Sequence, residues 1–158
     1  MLSLSSQNQL PGQRNAMNKR TYCVFNRDRE SFLGVETQVA DTPAARLKGL
    51  IGQRKPRTGE GVWIVPSLGI HSFGLLFPID LVYLDAGNRV IHLVEHFRPF
   101  RIGPLRIRGA SVLELAPHTI YASETQVGDR LIIGSPGELE RYFREKRAMG
   151  MEISPAER

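Results

Sequence analysis

Three polar side chains, His71, Ser72 and Asp80, sit among large apolar residues in the segment His71 to Asp85. A histidine, a hydroxyl and a carboxyl are the parts of a nucleophilic hydrolase site. Such a site needs His71 and Asp80 within hydrogen-bond reach in an open cleft. Ser72 lacks the Gly-x-Ser-x-Gly context of a nucleophile elbow. The plainer reading makes Asp80 a buried structural group. It is then expected to accept backbone amides, or to pair with His71 or an arginine.

Two further patterns carry chemistry. His92-Leu93-Val94-Glu95-His96 matches H-x-x-E-H, a zinc-peptidase spacing that works only on a helix. Here the segment follows a turn and reads as a strand. Strand residues four apart lie roughly 13 Å from each other at ~3.3 Å per residue. They cannot share one zinc ion, so these histidines are expected at a strand edge. Arg98, Arg101, Arg106 and Arg108 fall between Phe97 and Gly109, a stretch without an acid. If Leu105 to Arg108 is extended, Arg106 and Arg108 share a face opposite Leu105 and Ile107. Two of these arginines with His71 would make an anion pocket. Phe97 and Phe100 beside them also suit single-stranded nucleic acid, although no RNP, KH or helix-turn-helix signature accompanies them. The bland alternative is a solvated basic face.

The elements that must position these residues are legible in outline. Thr21–Asn26, Val35–Ala40 and Val62–Val65 are strand candidates. Thr42 reads as an N-cap with Pro43 at the first helical position. Leu47, Leu50 and Ile51 fall on one face of that short helix, and Gly52 can end it. Ile79–Asp85 is apolar on both faces and reads as a central strand. Asp85-Ala86-Gly87-Asn88 is a hairpin turn, and Arg89–Val94 returns antiparallel. Ser111–Leu115 and Leu131–Ile133 are further strands, and Thr119–Tyr121 reads as a strand or short extension. Ser135, Pro136 and Glu138 form a capping box for a last helix whose Leu139, Tyr142 and Phe143 share a face. Glu140 and Arg144 are spaced as an i,i+4 pair on it. About seven short strands with one inserted helix and a C-terminal helix predict a mainly-β fold, a compact antiparallel sandwich or partly open barrel.

Composition sets the remaining bounds. The 158 residues suit one domain. The expected division is a disordered extension over 1–18, a β domain over 19–134, a helix over 135–150 and a tail over 151–158. Met17 reads as an alternative start. The net charge is +5 and the 21 basic residues include only four lysines. Such a balance permits anionic partners without naming one. Cys23 is the only cysteine, which excludes an intramolecular disulfide and a multi-cysteine metal site. No apolar run approaches the ~20 residues of a membrane span. The polar N-terminus has no signal-peptide core, which predicts a cytoplasmic location, with envelope association as the alternative.

Several segments, taken together, match a known family. They are Val39 to Gly52, then Phe77-Pro78-Ile79-Asp80 with its strand and acidic-Gly turn. Leu113-Glu114-Leu115 and Val127-Gly128-Asp129-Arg130-Leu131 complete the set. In order and spacing they resemble the domain of unknown function 192 family over roughly Val35 to Ile133. The resemblance implies a compact mainly-β domain, widespread in bacteria and archaea, often secreted or linked to the envelope, with no established activity. Many relatives carry a Met-Lys-Asn-Thr type element where this chain has His71-Ser72-Phe73-Gly74. Only Pro78, Asp80 and the Thr42–Gly52 helix segment carry over. The expectation is a non-enzymatic domain that binds a small ligand or a protein partner. Its anion site draws on His71, Asp80, Arg98, Arg101, Arg106 and Arg108, without a cofactor or metal. The rivals are a hydrolase using His71 and Asp80, and a basic nucleic-acid-associated module.

Overall fold

The computed structural model describes residues 20–151. The extension expected over 1–18 and the tail beyond Met151 lie outside the described residues. Ten elements follow in order: β1 (Thr21–Asn26), β2 (Ser31–Ala40), α1 (Pro43–Lys48), β3 (Glu60–Ile64), β4 (Ile79–Leu84), β5 (Val90–Phe97), β6 (Ser111–Leu115), α2 (Thr119–Ala122), β7 (Leu131–Gly134) and α3 (Pro136–Ala148). The strands form one seven-stranded sheet in the order β5-β4-β6-β3-β2-β1-β7. The sheet curls into a half-barrel, the partly open barrel that the strand count predicts. Its two edge strands meet at one end, where Arg89 bridges Arg130 and the Val90 N–H donates to the Asp129 carbonyl at 2.8 Å.

Strand alternation divides the side chains between two faces. Val24, Leu33, Val82, Leu84, Val90, Leu113, Leu115 and Leu131 converge from six strands into one inner cluster. Ile64, Ile79, Leu81, Tyr83 and Val112 form a second cluster on the outer face, beneath Leu50, Ile70 and Leu75. α3 covers another part of the outside, placing Leu139, Tyr142 and Phe143 against Cys23 and Phe25. Its Ser135 accepts from the Glu138 N–H while Glu138 accepts from the Ser135 N–H, the capping box read from the sequence.

Three local expectations change. β2 and β3 pair in parallel within an otherwise antiparallel sheet, because α1 and a long loop give the crossover its length. Thr119–Ala122 is a helix and not a strand. β6 is already paired on both sides, by β3 and β4, so the chain beyond it folds across the barrel end and buries Ile120 inside. Leu47 is exposed where the helix pattern placed it inward. The chain reverses at Gly49, with φ +45, so Leu50 is the residue that enters the core.

β4 is buried along its whole length, so Asp80 must be satisfied by protein groups. Its Oδ1 accepts from the His96 N–H and its Oδ2 from the Ile120 N–H, each at 3.0 Å. The first bond sits at a β-bulge, where Glu95 and His96 together oppose Asp80. The second holds α2. An amide cannot accept at both atoms, so Asp80→Asn leaves two N–H groups facing each other. Urea denaturation should show a loss of about 2–3 kcal/mol for this variant. An unfolding free energy within about 0.5 kcal/mol of the parent would exclude this role.

Candidate functional site

The outer face of β4, β5 and β6 lies under two loops, 65–78 and 98–110. The loops are laced together by backbone bonds. Phe100 donates to the Ser72 carbonyl at 2.9 Å, Gly103 to Ile70 at 2.7 Å and Arg106 to Leu68 at 2.8 Å. Ser72 is the rivet. Its hydroxyl donates to the Arg98 carbonyl at 2.7 Å and accepts from the Arg101 N–H at 2.8 Å. Gly103 approaches so closely that a Cβ there would stand 2.8 Å from the Tyr83 hydroxyl.

Beneath this lid, polar groups lie on a face that is otherwise apolar. Glu114 of β6 pairs across the sheet with Leu81, and Tyr83 of β4 pairs with His92 of β5. Arg106 reaches in, its Nη2 lying 2.8 Å from His92 Nε2. A guanidinium only donates, so Nε2 accepts and His92 carries its proton on Nδ1. Burial first, then the Arg106 charge, lowers the His92 pKa. Both favour this neutral form. Burial pushes the Tyr83 hydroxyl up to about 12, with the Arg106 charge opposing and the Glu114 carboxyl adding. Among the described residues, neither Tyr83 Oη nor Arg106 Nε has a partner.

Glu114 is the most perturbed carboxyl of this face. It is 3 % exposed and its Oε2 accepts one bond, from the Leu50 N–H at 3.0 Å. Burial lifts its pKa to about 7 against that bond. It lines a cavity of about 300 Å³ between α1, the end of β3 and the Pro66–His71 loop. His71 lines the same cavity, with its Nδ1 buried and without a partner among the described residues. Arg46 and Lys48 of α1 also face it. By sequence pattern alone Glu114 is an ordinary strand residue. The available signal was a lone acid inside Ser-Val-Leu-Glu-Leu, a run otherwise free of charge.

The six residues singled out in the sequence do not converge. Asp80 is 0 % exposed and bonded to backbone amides, so it shares no open cleft with His71. The hydrolase pairing of the two therefore does not form. His71 bridges Ile102 and stacks on Phe73 at 5.7 Å. Arg98, Arg101 and Arg108 are exposed, whereas Arg106 is half-buried. Arg106 and Arg108 point apart because a turn joins them, the Gly109 N–H donating to the Arg106 carbonyl at 2.8 Å. Both still border an open groove of about 540 Å³ with Arg89, Leu105, Ile107 and Val127. The H-x-x-E-H residues are on β5, with His92 held by Arg106 and His96 beside His118 at 6.0 Å.

The chain is thus a single-domain, mainly-β half-barrel lidded by two loops, with one buried carboxyl opening to a cavity. The family model DUF192, described as an uncharacterized ACR, matches residues 24–133, and the chain belongs to that family. Two solved structures share the fold. A protein of unknown function from Novosphingobium aromaticivorans aligns with a TM-score of 0.61 and 19% identity, over 71% of this chain and 83% of the other. A protein from Sinorhizobium meliloti, described as a putative transcription regulator, aligns with a TM-score of 0.58 and 18% identity, over 72% of this chain and 92% of the other. No match is found among curated proteins.

The raised pKa of Glu114 has a signed consequence for stability. An acid whose folded pKa lies above its ordinary value of 4.5 favours folding below that value and loses the contribution as pH rises through about 7. The full difference is about 3 kcal/mol. Glu114→Gln keeps an acceptor for Leu50 and cannot ionise. Its stability relative to the parent should therefore climb between about pH 5 and about pH 8 by up to that amount. Parallel denaturation curves for the two proteins across this range would contradict the assignment.

Proposed function

We propose that this domain docks peripherally on an anionic membrane surface through the 65–78 and 98–110 loops. The observation that carries the reading is a mixed surface of cations and aliphatic side chains. Arg98, Arg101 and Arg108 are exposed between Phe100, Ile102, Leu105 and Ile107, whose exposures run from 58% to 88%. Leu76 adjoins them on the partner loop at 85%. Neither loop contains an aspartate or glutamate. Apolar tips that enter the headgroup region, ringed by arginines that meet lipid phosphate, are the two components of interfacial binding. No helix among the described residues is long and apolar enough to cross a membrane, which is compatible with docking on the surface.

Nucleic acid is the rival occupant of the same cations, and the Sinorhizobium meliloti protein's description as a putative transcription regulator keeps it in view. Stacking on bases calls for aromatic faces. The exposed apolar residues of the two loops are mostly aliphatic, and Phe73 is already stacked on His71. That composition favours acyl chains over bases.

Vesicle flotation separates these outcomes. The protein should float with phosphatidylcholine vesicles containing one part in three phosphatidylglycerol, and not with phosphatidylcholine alone. The R98A/R101A/R108A variant should lose about 3 kcal/mol, roughly 100-fold, at about 1 kcal/mol per arginine. Ile102→Ser with Ile107→Ser should abolish binding with the charge set intact. Tight retention on duplex DNA together with failure to float would overturn the proposal.

A further inference from the structure

The cavity beside α1 has its own chemistry, apart from the exposed arginines and aliphatic tips of the loops. Its floor is the Glu114 carboxyl, sealed except toward the cavity. Among the described residues no protein donor reaches its Oε1, while Oε2 takes the Leu50 N–H. Gly49 lies flat against this carboxyl, and a Cβ there would stand 2.6 Å from Oε2. The site is thus built around the acid. Leu47, Ile64 and Ile70 provide apolar wall, and Arg46 and Lys48 line the same space from α1.

A buried carboxyl with an empty oxygen calls for a cation or an added hydrogen bond. A metal ion is a poor fit, since no third His, Cys, Asp or Glu joins Glu114 and His71 among the described residues. A plain amine would meet Arg46 and Lys48. A plain carboxylate would meet Glu114. A molecule bearing both charges answers both, and the apolar walls accommodate an aliphatic side chain. We infer that this cavity binds a small zwitterion of the aliphatic α-amino-acid class, with its ammonium on Glu114 and its carboxylate on Arg46 and Lys48. The volume of about 300 Å³ stands at the lower end of ligand pockets, as a ligand of that size requires.

Binding an ammonium there must draw the proton off Glu114, so affinity rises with pH. The other charged or titratable groups lining the cavity are Arg46 and Lys48 from α1 and His71 from the loop, and Tyr83 of β4 lies near the carboxyl. The tyrosine, pushed up to about 12, stays neutral.

Calorimetric titration with L-leucine, L-alanine and glycine tests the inference. The half-molecules 4-methylpentanoate, which lacks the ammonium, and 3-methylbutylamine, which lacks the carboxylate, serve as controls. At least one amino acid should bind, and leucine should exceed either half-molecule by tenfold or more. Its affinity should rise about tenfold from about pH 6 to about pH 8 as Glu114 ionises. Glu114→Gln should remove most of the binding and the Glu114 share of its pH dependence. R46A/K48A, at the cavity mouth, should weaken leucine while leaving 3-methylbutylamine unchanged or tighter. Absence of binding by all three amino acids would overturn the inference. So would undiminished binding to Glu114→Gln, or tighter binding at the acid end.

Discussion

The structure turns on a carboxyl placed in a strand that has no contact with water. β4 is buried from Ile79 to Leu84, with one apolar cluster against each face. An acid in that position is tolerable only when protein donors saturate it. Asp80 obtains its donors from two segments that no regular sheet would bring there. One is the bulge at His96, whose backbone takes a positive φ of 53°. The other is α2, whose Ile120 closes the inner cluster. The bulge comes just before β5 gives way to the 98–110 loop, which then runs over the outer face. A single residue therefore links the central strand to the lid and to the barrel end.

The two faces of the sheet answer different demands. The inner one draws apolar residues from six strands, and its buried carboxyl, Asp80, is satisfied by backbone amides. The outer one carries Glu114, Tyr83 and His92, and its cover is made of loops, which bring their own polar atoms. Arg106 shows how the exchange works. Its charge is permanent, so the structure keeps His92 neutral as an acceptor and buries the aliphatic stem under the lid. Ser72 and Gly103 matter for the same reason. One locks the two loops, and the other lets backbone lie against the Tyr83 hydroxyl. Loops fixed this firmly can present exposed apolar side chains at set positions, as a binding surface requires.

What could be read from the sequence follows the range of the forces involved. The Thr42-Pro43 start and the Ser135 capping box are local hydrogen-bond signals, and both helices begin where those residues stand. The strands announce themselves by apolar alternation or by continuous apolar runs. The parallel pairing of β2 with β3, the helical turn at Thr119 and the inward turn of Arg106 are set by distant partners, which periodicity does not encode. Glu114 belongs with them. Within Ser111–Leu115 it looks like the solvent-facing member of an edge strand. Only its place between β3 and β4, under α1, makes it a buried acid. Asp80 was legible as a residue needing backbone donors, but which donors depends on contacts 16 and 40 residues away.

Glu114 and Asp80 are both acids on central strands, and the contrast between them locates the chemistry. Asp80 is satisfied at both oxygens by rigid backbone, has no opening to solvent, and holds the fold. Glu114 has one donor, a cavity before it and a pKa lifted to about 7. Replacing it with an apolar or neutral residue would relieve strain of the order of a few kcal/mol at neutral pH. A packed sheet has no structural need for such a group, since Val112, next along the same face of β6, fills its site without polarity. Departures from internal consistency of this kind concentrate where a protein meets a ligand. The unsatisfied oxygen, the backbone laid against the carboxyl at Gly49 and the cations across the cavity belong to one arrangement. Each makes physical sense once a second molecule completes it.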